Sequence, residues 1–235
     1  MIRTWAGPLP AWMPEFNEQM RRVLSRAPGW EFMLMHYEYA HELDTFKSLV
    51  FKKLGVRVSP EAGSRKICEF DPALGLIYSN ILEGFDFWGH YNLDCVYGRI
   101  ERYVTDELLA ATDIFAAEPY SICGPFTIYR NCSSVNDLFR LVYNWQDVFQ
   151  DPEFHGFDEG AFADVVRQAA ANGKIRFTCP VTLNGWHAHD KQVGHTEEPQ
   201  ITLRNDGTLS EFNTREIILF HFNRLRRWPI HTVAA

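Results

Sequence analysis

A single α/β domain, built on a mixed and mostly parallel sheet flanked by helices, is the fold this sequence predicts, and three observations carry the prediction. Residues 1–35 read as strand, helix, strand within the length of one right-handed crossover unit. Strand-like and helix-like stretches go on alternating through the first half and give way to a looser α+β pattern in the second. The chain has 235 residues, 46% of them apolar, with no repeat or biased tract, which suits one sizeable core.

Met1–Trp5 is the first strand, ended by the turn-rich Ala6-Gly7-Pro8-Leu9-Pro10. Trp12, Phe16, Met20 and Leu24 recur four apart, so a helix follows, and Ala27-Pro28-Gly29 stops it. Trp30–Met35 is a second buried strand. Asp44 is the expected N-cap of a helix that carries Phe46, Leu49, Val50 and Leu54 on one face and closes at Gly55. Val56–Val58 reads as a short strand. Asp71-Pro72 has the form of a cap followed by proline at the first helical position, predicting a helix to Leu82 that ends at Gly84. Beyond residue 98 the expectations are a short helix at Thr105–Ala110 and strands at Asp113–Ala116 and Phe126–Arg130. A helix from Ser134-Val135-Asn136-Asp137, close to a capping box, runs through Phe149, and another spans Glu159–Asn172 with Gly173 after it. A strand at Ile175–Cys179, a hairpin over Ile201–Phe212 turning on Asn205-Asp206-Gly207, and an apolar strand at Ile217–Phe222 complete the chain.

A formal net charge of −7 argues against general nucleic-acid binding and against a surface that hugs a bilayer, so an anionic ligand would need a local basic cluster. The five cysteines are odd in number and form no C-x-x-C pair, which reads as reduced thiols rather than a disulfide framework. The start does not read as a signal peptide, and no apolar run approaches the roughly 20 residues that span a bilayer. The sequence therefore predicts a cytoplasmic protein whose contact with any lipid-linked acceptor is peripheral.

The stretch Gly84–Gly98 draws the chemistry. A short apolar strand leaves through Asn92-Leu93-Asp94, which sets two polar side chains two apart at its carboxyl end, where open α/β sheets place ligands. A carboxylate there can hold a hard divalent cation, and Asn92 can add a neutral carbonyl oxygen. A strand running into an Asn/Asp turn would look the same.

The runs Lys66-Ile67-Cys68-Glu69-Phe70-Asp71-Pro72-Ala73-Leu74-Gly75 and Gly84-Phe85-Asp86-Phe87-Trp88-Gly89-His90-Tyr91-Asn92-Leu93-Asp94 are followed by three further blocks. These are Gly124-Pro125-Phe126-Thr127-Ile128-Tyr129-Arg130-Asn131, then Phe157-Asp158-Glu159, then Phe220-His221-Phe222-Asn223-Arg224-Leu225-Arg226-Arg227-Trp228. In this order, over nearly the whole chain, they resemble a family of small bacterial and viral GT-A-like glycosyltransferases. The resemblance implies a Rossmann-like single domain over 1–235, with a nucleotide-binding half at about 1–98 and an acceptor half at about 99–235 that ends in a donor-site segment. It implies metal-assisted transfer of a sugar from a nucleoside-diphosphate sugar to a glycan acceptor, with Mn²⁺ or Mg²⁺, as in polysaccharide biosynthesis; an inverting course is expected on the candidate carboxylate Asp158, and a retaining enzyme could place an acid there too. It also implies Asp94, His221 and Asn92 at the metal, while Trp5, Lys66, Arg226 and Arg227 are further candidate donor contacts. The chain departs from the family pattern at Asn92, where an acid is usual, at Glu69 for aspartate, and at Pro125 where a histidine is common.

Each candidate has a plain alternative. His221 lies in an apolar strand, where a core histidine would also sit. Arg224, Arg226 and Arg227 form either a phosphate clamp or a solvated tail. Asp158 is either the cap of its helix or the general base that an inverting transfer needs. A non-catalytic nucleotide-sugar-binding module is the rival function. A third, minor reading is a metallohydrolase using His187, His189, Asp190 and His195.

Overall fold

The central strands are apolar and aromatic along most of their length, so each buries both faces. In the computed structural model, which describes residues 1–38, 40–118, 122–178, 201–211 and 215–222, this produces a six-stranded sheet covered on two sides. The chain opens with β1 (Ile2–Ala6), α1 (Met13–Arg26), β2 (Met33–Tyr37) and α2 (Ala40–Leu54). A 3-10 helix (Ser64–Ala73) and a single turn α3 (Leu74–Ile77) lead into β3 (Phe87–Tyr91) and β4 (Cys95–Tyr97). Then come α4 (Ile100–Tyr103), α5 (Asp106–Ala110), β5 (Ile114–Ala116), β6 (Phe126–Arg130), α6 (Ser133–Asn136) and α7 (Trp145–Gln150). A π turn (Asp158–Phe162) starts α8 (Ala163–Ala171), followed by β7 (Phe177–Thr178), β8 (Ile201–Leu203), β9 (Leu209–Glu211), β10 (Arg215–Glu216) and β11 (Leu219–His221).

The main sheet runs β2-β1-β3-β6-β5-β7. The pairs β1–β2, β1–β3 and β5–β7 are parallel, whereas β6 is antiparallel to both β3 and β5. The sheet is thus mixed and mostly parallel, as expected. Trp88, Tyr129 and Ile114 pack on one face with Phe46, Phe70 and Phe149, while Tyr91, Phe126 and Phe115 pack on the other with Phe16, Met20 and Val23 of α1. The small sheets β10-β9-β8 and β11-β4 share a third cluster, with Val96, Leu209 and Phe220 at its centre.

Glycine 89 shows how tightly β3 and β6 are matched. A Cβ on it would lie 2.3 Å from Thr127 O and 2.8 Å from Met1 Sδ, so only glycine fits between these backbones.

Several expected elements differ. Helix α2 starts at Ala40, ahead of Asp44, and Val56–Val58 is a loop that buries Val56 rather than a strand. Asp71-Pro72 opens no long helix: Asp71 lies within the 3-10 helix and its carboxylate is drawn to Arg3, so Ala73 stands at the start of α3. The stretch from Ser134 to Phe149 breaks into α6, a 3-10 turn at Leu138–Leu141 and α7, because the Phe139, Trp145 and Phe149 rings pack on one another rather than on a single helical stripe. Asp158 is not the N-cap; Phe157 holds that position without a side-chain bond, and Asp158 is the first residue of the π turn, its carboxylate accepting from the backbone N–H of Glu159. Among the described residues no helix is long and apolar enough to cross a membrane.

Candidate functional site

The site forms where β3 ends. Strand β1 pairs with β3 only at Ile2↔His90, so Thr4–Ala6 run on past the end of β3 and leave a place for side chains at its carboxyl end. The turn Asn92–Asp94 crosses that end and enters β4, which pairs with β11 at Leu219↔Tyr97, Phe220↔Val96 and His221↔Cys95. This register is what carries His221 to Asp94: its Nε2 lies 3.2 Å from Asp94 Oδ2. The frame is tied by Phe222 N donating to Asp94 O (2.9 Å) and Trp12 Nε1 donating to Leu93 O (3.1 Å). Asn92 is fixed by its backbone, with N donating to Pro125 O at 3.1 Å and to the Tyr97 hydroxyl at 3.1 Å. Burial raises the pKa of the Asp94 carboxyl, but the hydrogen bond and charge of His221, joined by the charge of Arg3, outweigh it and hold Asp94 below the usual carboxylate range.

Arg3 links this turn to a buried charged group. Its Nη1 is 3.2 Å from Asp71 Oδ2 and its Nη2 is 3.2 Å from Cys68 Sγ. Burial opposes its charge, yet Cys68, Asp71 and Asp94 together more than compensate, so its pKa is raised and the guanidinium stays charged. Burial raises Asp71 to about 7, with Arg3 pulling it down and Glu159 pushing it up. Asp158 is pushed up to about 8, first by burial and then by the negative charges of Asp71 and Glu159. A neutral pH therefore finds Asp158 mostly protonated. Among the described residues Arg3 Nε and Asp71 Oδ1 are buried with no hydrogen-bond partner. Glu159 Oε1 accepts from Gly124 N at 3.0 Å, and a Cβ on Gly124 would lie 2.7 Å from that same oxygen and 3.3 Å from Asp158 Oδ2. The π turn that presents Asp158 and Glu159 bends at Gly160 (φ −98°, ψ −108°), a local device that often marks functional positions.

Of the residues singled out in the sequence, Asp94 and His221 meet directly. Asn92 lies at the same turn, and Asp158 lies behind it across Asp71 and Arg3. Trp5 sits two residues beyond Arg3 on the same side of β1 and donates from Nε1 to Pro8 O (3.1 Å). Lys66 donates elsewhere: its buried ammonium bonds Glu69, Val148 O (2.5 Å) and Glu153 O (2.8 Å), which occupies its donors. Glu69 in turn accepts from the backbone of His155 and Phe157, so this ion pair positions the chain just before Asp158. Arg224, Arg226 and Arg227 lie outside the described residues, as do His187, His189, Asp190 and His195.

Sequence reasoning missed Arg3, Asp71 and Cys95. Arg3 carried a signal, an arginine inside the apolar run Met1–Trp5, whereas Asp71 resembled a cap and Cys95 an ordinary core thiol.

The five blocks converge here: Cys68 and Asp71 on Arg3, Gly75 beneath Trp88, Trp88 stacked on Tyr129 (4.3 Å between ring centroids), Gly124 on Glu159, and His221 on Asp94. Residues 36–228 match the model of a family of unknown function, DUF6625. The chain belongs to that family. The DUF6625 span takes in all five blocks and leaves out β1, α1 and the start of β2, hence Arg3. No curated protein and no solved structure matches the chain.

Proposed function

We propose that this chain is a GT-A-like glycosyltransferase that moves a sugar from a nucleoside-diphosphate donor to a glycan acceptor. The observation that supports this most is the meeting of Asp94 and His221 at the carboxyl end of β3, continuous with the buried Arg3, Asp71 and Asp158. The acceptor hydroxyl attacks the anomeric carbon, the bond from that carbon to the diphosphate breaks, and the electron pair leaves on the phosphate oxygen. Asp158, once ionised, takes the hydroxyl proton. A divalent cation at Asp94 and His221 would neutralise the charge growing on the leaving phosphate. Arg3, charged and buried beside Asp94, contributes a fixed positive potential to the same place.

Incubating the chain with a panel of nucleotide sugars, divalent cations and oligosaccharides tests this. Sugar release or transfer that is lost in Asp94→Ala is the expected result; no turnover with any donor overturns it. Two observations favour the rival binding module: the neutral Asn92 in place of an acid, and an Asp158 that is largely protonated at neutral pH. That module would show thermal stabilisation by nucleotide and no release of sugar.

The raised pKa of Asp158 makes a kinetic prediction. The rate should climb with pH toward a plateau above about 8, since only the ionised carboxylate accepts a proton. Asp158→Asn should remove most of the turnover, keep donor binding, and flatten that limb of the pH profile. Because Asp158 is mostly neutral at pH 7 and asparagine keeps an oxygen to accept the Glu159 N–H, the replacement comes at little structural expense. Unchanged turnover and an unchanged profile would remove Asp158 from the mechanism.

A further inference from the structure

The donor set at the turn differs from the one the sequence predicted. Cys95 joins it: the Asp94, Cys95 and His221 ligand atoms all lie within 4.8 Å of one another. Magnesium needs near-octahedral oxygen ligation, and thiolates are poor partners for hard cations. A carboxylate, a thiolate and an imidazole are instead the donors of a borderline-soft ion such as Zn²⁺, which takes four ligands at about 2.0–2.3 Å and in its catalytic sites leaves the fourth position open. Ligands at those lengths stand roughly 3.3–3.8 Å apart, so the 3.2 Å between Asp94 and His221 is already near that separation and the thiol has little distance to cover.

We infer that Asp94, Cys95 and His221 form a three-ligand site for a zinc-class ion with its fourth position open toward solvent.

The backbone supports this set rather than a chance cluster. Cys95 and His221 are cross-strand partners in the β4–β11 ribbon, so their side chains share one face. Asp94 precedes Cys95 and is held by the Phe222 N–H, while Trp12 packs edge-on against Phe222 (5.5 Å between ring centroids) and clamps Leu93. Such outer contacts are what hold metal ligands in orientation. Cys95 is fully buried, whereas the Asp94 side chain is 29% exposed and that of His221 10%, so an ion enters from the carboxylate side and keeps its open position there. Loading is a simple exchange: the Cys95 thiol gives its proton to solvent and its sulfur electron pair to the ion. Burial is what most opposes the bare Cys95 thiolate, and Asp94 and Glu118 add to that opposition, while a side-chain hydrogen bond with Tyr97 and the charge of Arg3 favour the thiolate. This deepens the glycosyltransferase reading by changing the class of ion, and it rests on that reading only for what the open position holds, a diphosphate oxygen.

Cobalt(II) titration of the full chain, followed by absorption, tests the site without any turnover. Expected are a near-ultraviolet sulfur-to-cobalt charge-transfer band and the strong visible bands of a four-coordinate ion, saturating at one ion per chain, reversed by Zn²⁺ and unaffected by excess Mg²⁺. Cys95→Ser should lose the charge-transfer band. If the buried serine prevents folding, His221→Ala, on the more open side, should lose the four-coordinate spectrum in a chain whose circular dichroism is unchanged. The inference is overturned by weak six-coordinate cobalt bands, by displacement with Mg²⁺ or Mn²⁺ at parity, by a charge-transfer band that survives Cys95→Ser, or by no binding. An inactive chain with the expected cobalt spectrum would sink the glycosyltransferase reading and leave the metal site standing.

Discussion

Gly89→Ala is expected to be among the most damaging single substitutions in this protein. The added methyl would meet the Thr127 carbonyl oxygen at 2.3 Å and Ile128 Cα at 3.0 Å, and neither backbone atom can swing aside as a side chain could. Overpacking a well-filled interior usually costs about 1–3 kcal/mol, and a backbone clash in the middle of the β3–β6 pair belongs at or above the upper end. For a domain of this size that corresponds to a fall in Tm of roughly 6–12 °C, or to no folding at all. Gly63→Ala is the matched control: its φ is −78° and its Cβ would meet nothing within 4 Å. Thermal unfolding by circular dichroism measures both variants. A Gly89→Ala melt that coincides with wild type would mean that β3 and β6 are not registered as described.

Arg3→Leu is expected to cost about 3–5 kcal/mol near neutral pH, the usual loss when one partner of a buried ion pair is removed. Arg3 and Asp71 pair at 3.2 Å with side-chain exposures of 7% and 2%, so water does little to screen the charge left behind. The effect should depend on pH, with a sign opposite to that of a salt-bridged surface acid. The folded-state values of Asp71 and Asp158, about 7 and about 8, lie above the value near 3.9 of an unfolded aspartate, so the folded protein binds more protons through that window. Stability contributed by these two carboxyls is therefore greatest at acid pH and is lost as pH rises from about 4 to about 8. Removing Arg3 raises Asp71 further, so Arg3→Leu should be mild at pH 5 and severe at pH 8. Urea unfolding at the two pH values reads this directly, and Arg3→Leu combined with Asp71→Asn should recover much of the loss at pH 8. A variant equally destabilised at both would show that Arg3 contributes packing rather than charge.

How much of this could be read from the residues depends on how local each cause is. The first strand, helix and second strand, the paired runs Ile114–Ala116 and Phe126–Arg130, and the hairpin turning on Asn205-Asp206-Gly207 follow from periodicity and turn chemistry that act over a few residues. The helix expected from Asp71 to Leu82 failed because its cap was needed elsewhere, on an arginine 68 residues away in sequence. The helix expected to run from Ser134 through Phe149 broke for a similar reason, since aromatic contacts among its own members and with Phe70 and Phe157 outweigh the helical stripe.

The sequence by itself determined that this is an α/β protein and that a polar turn, Asn92–Asp94, ends one of its central strands, because periodicity, turn residues and strand ends are written in adjacent positions. Only the tertiary structure decided which groups meet there. The β4–β11 register places Cys95 beside Asp94 and His221, and the short pairing of β1 with β3 lets Arg3 reach Asp71. Burial then sets the charge states, leaving Arg3 charged and Asp158 mostly neutral. Strand register and desolvation are properties of the assembled interior, where a slip of one residue turns every side chain to the other face, and neither is encoded in any single stretch of the chain.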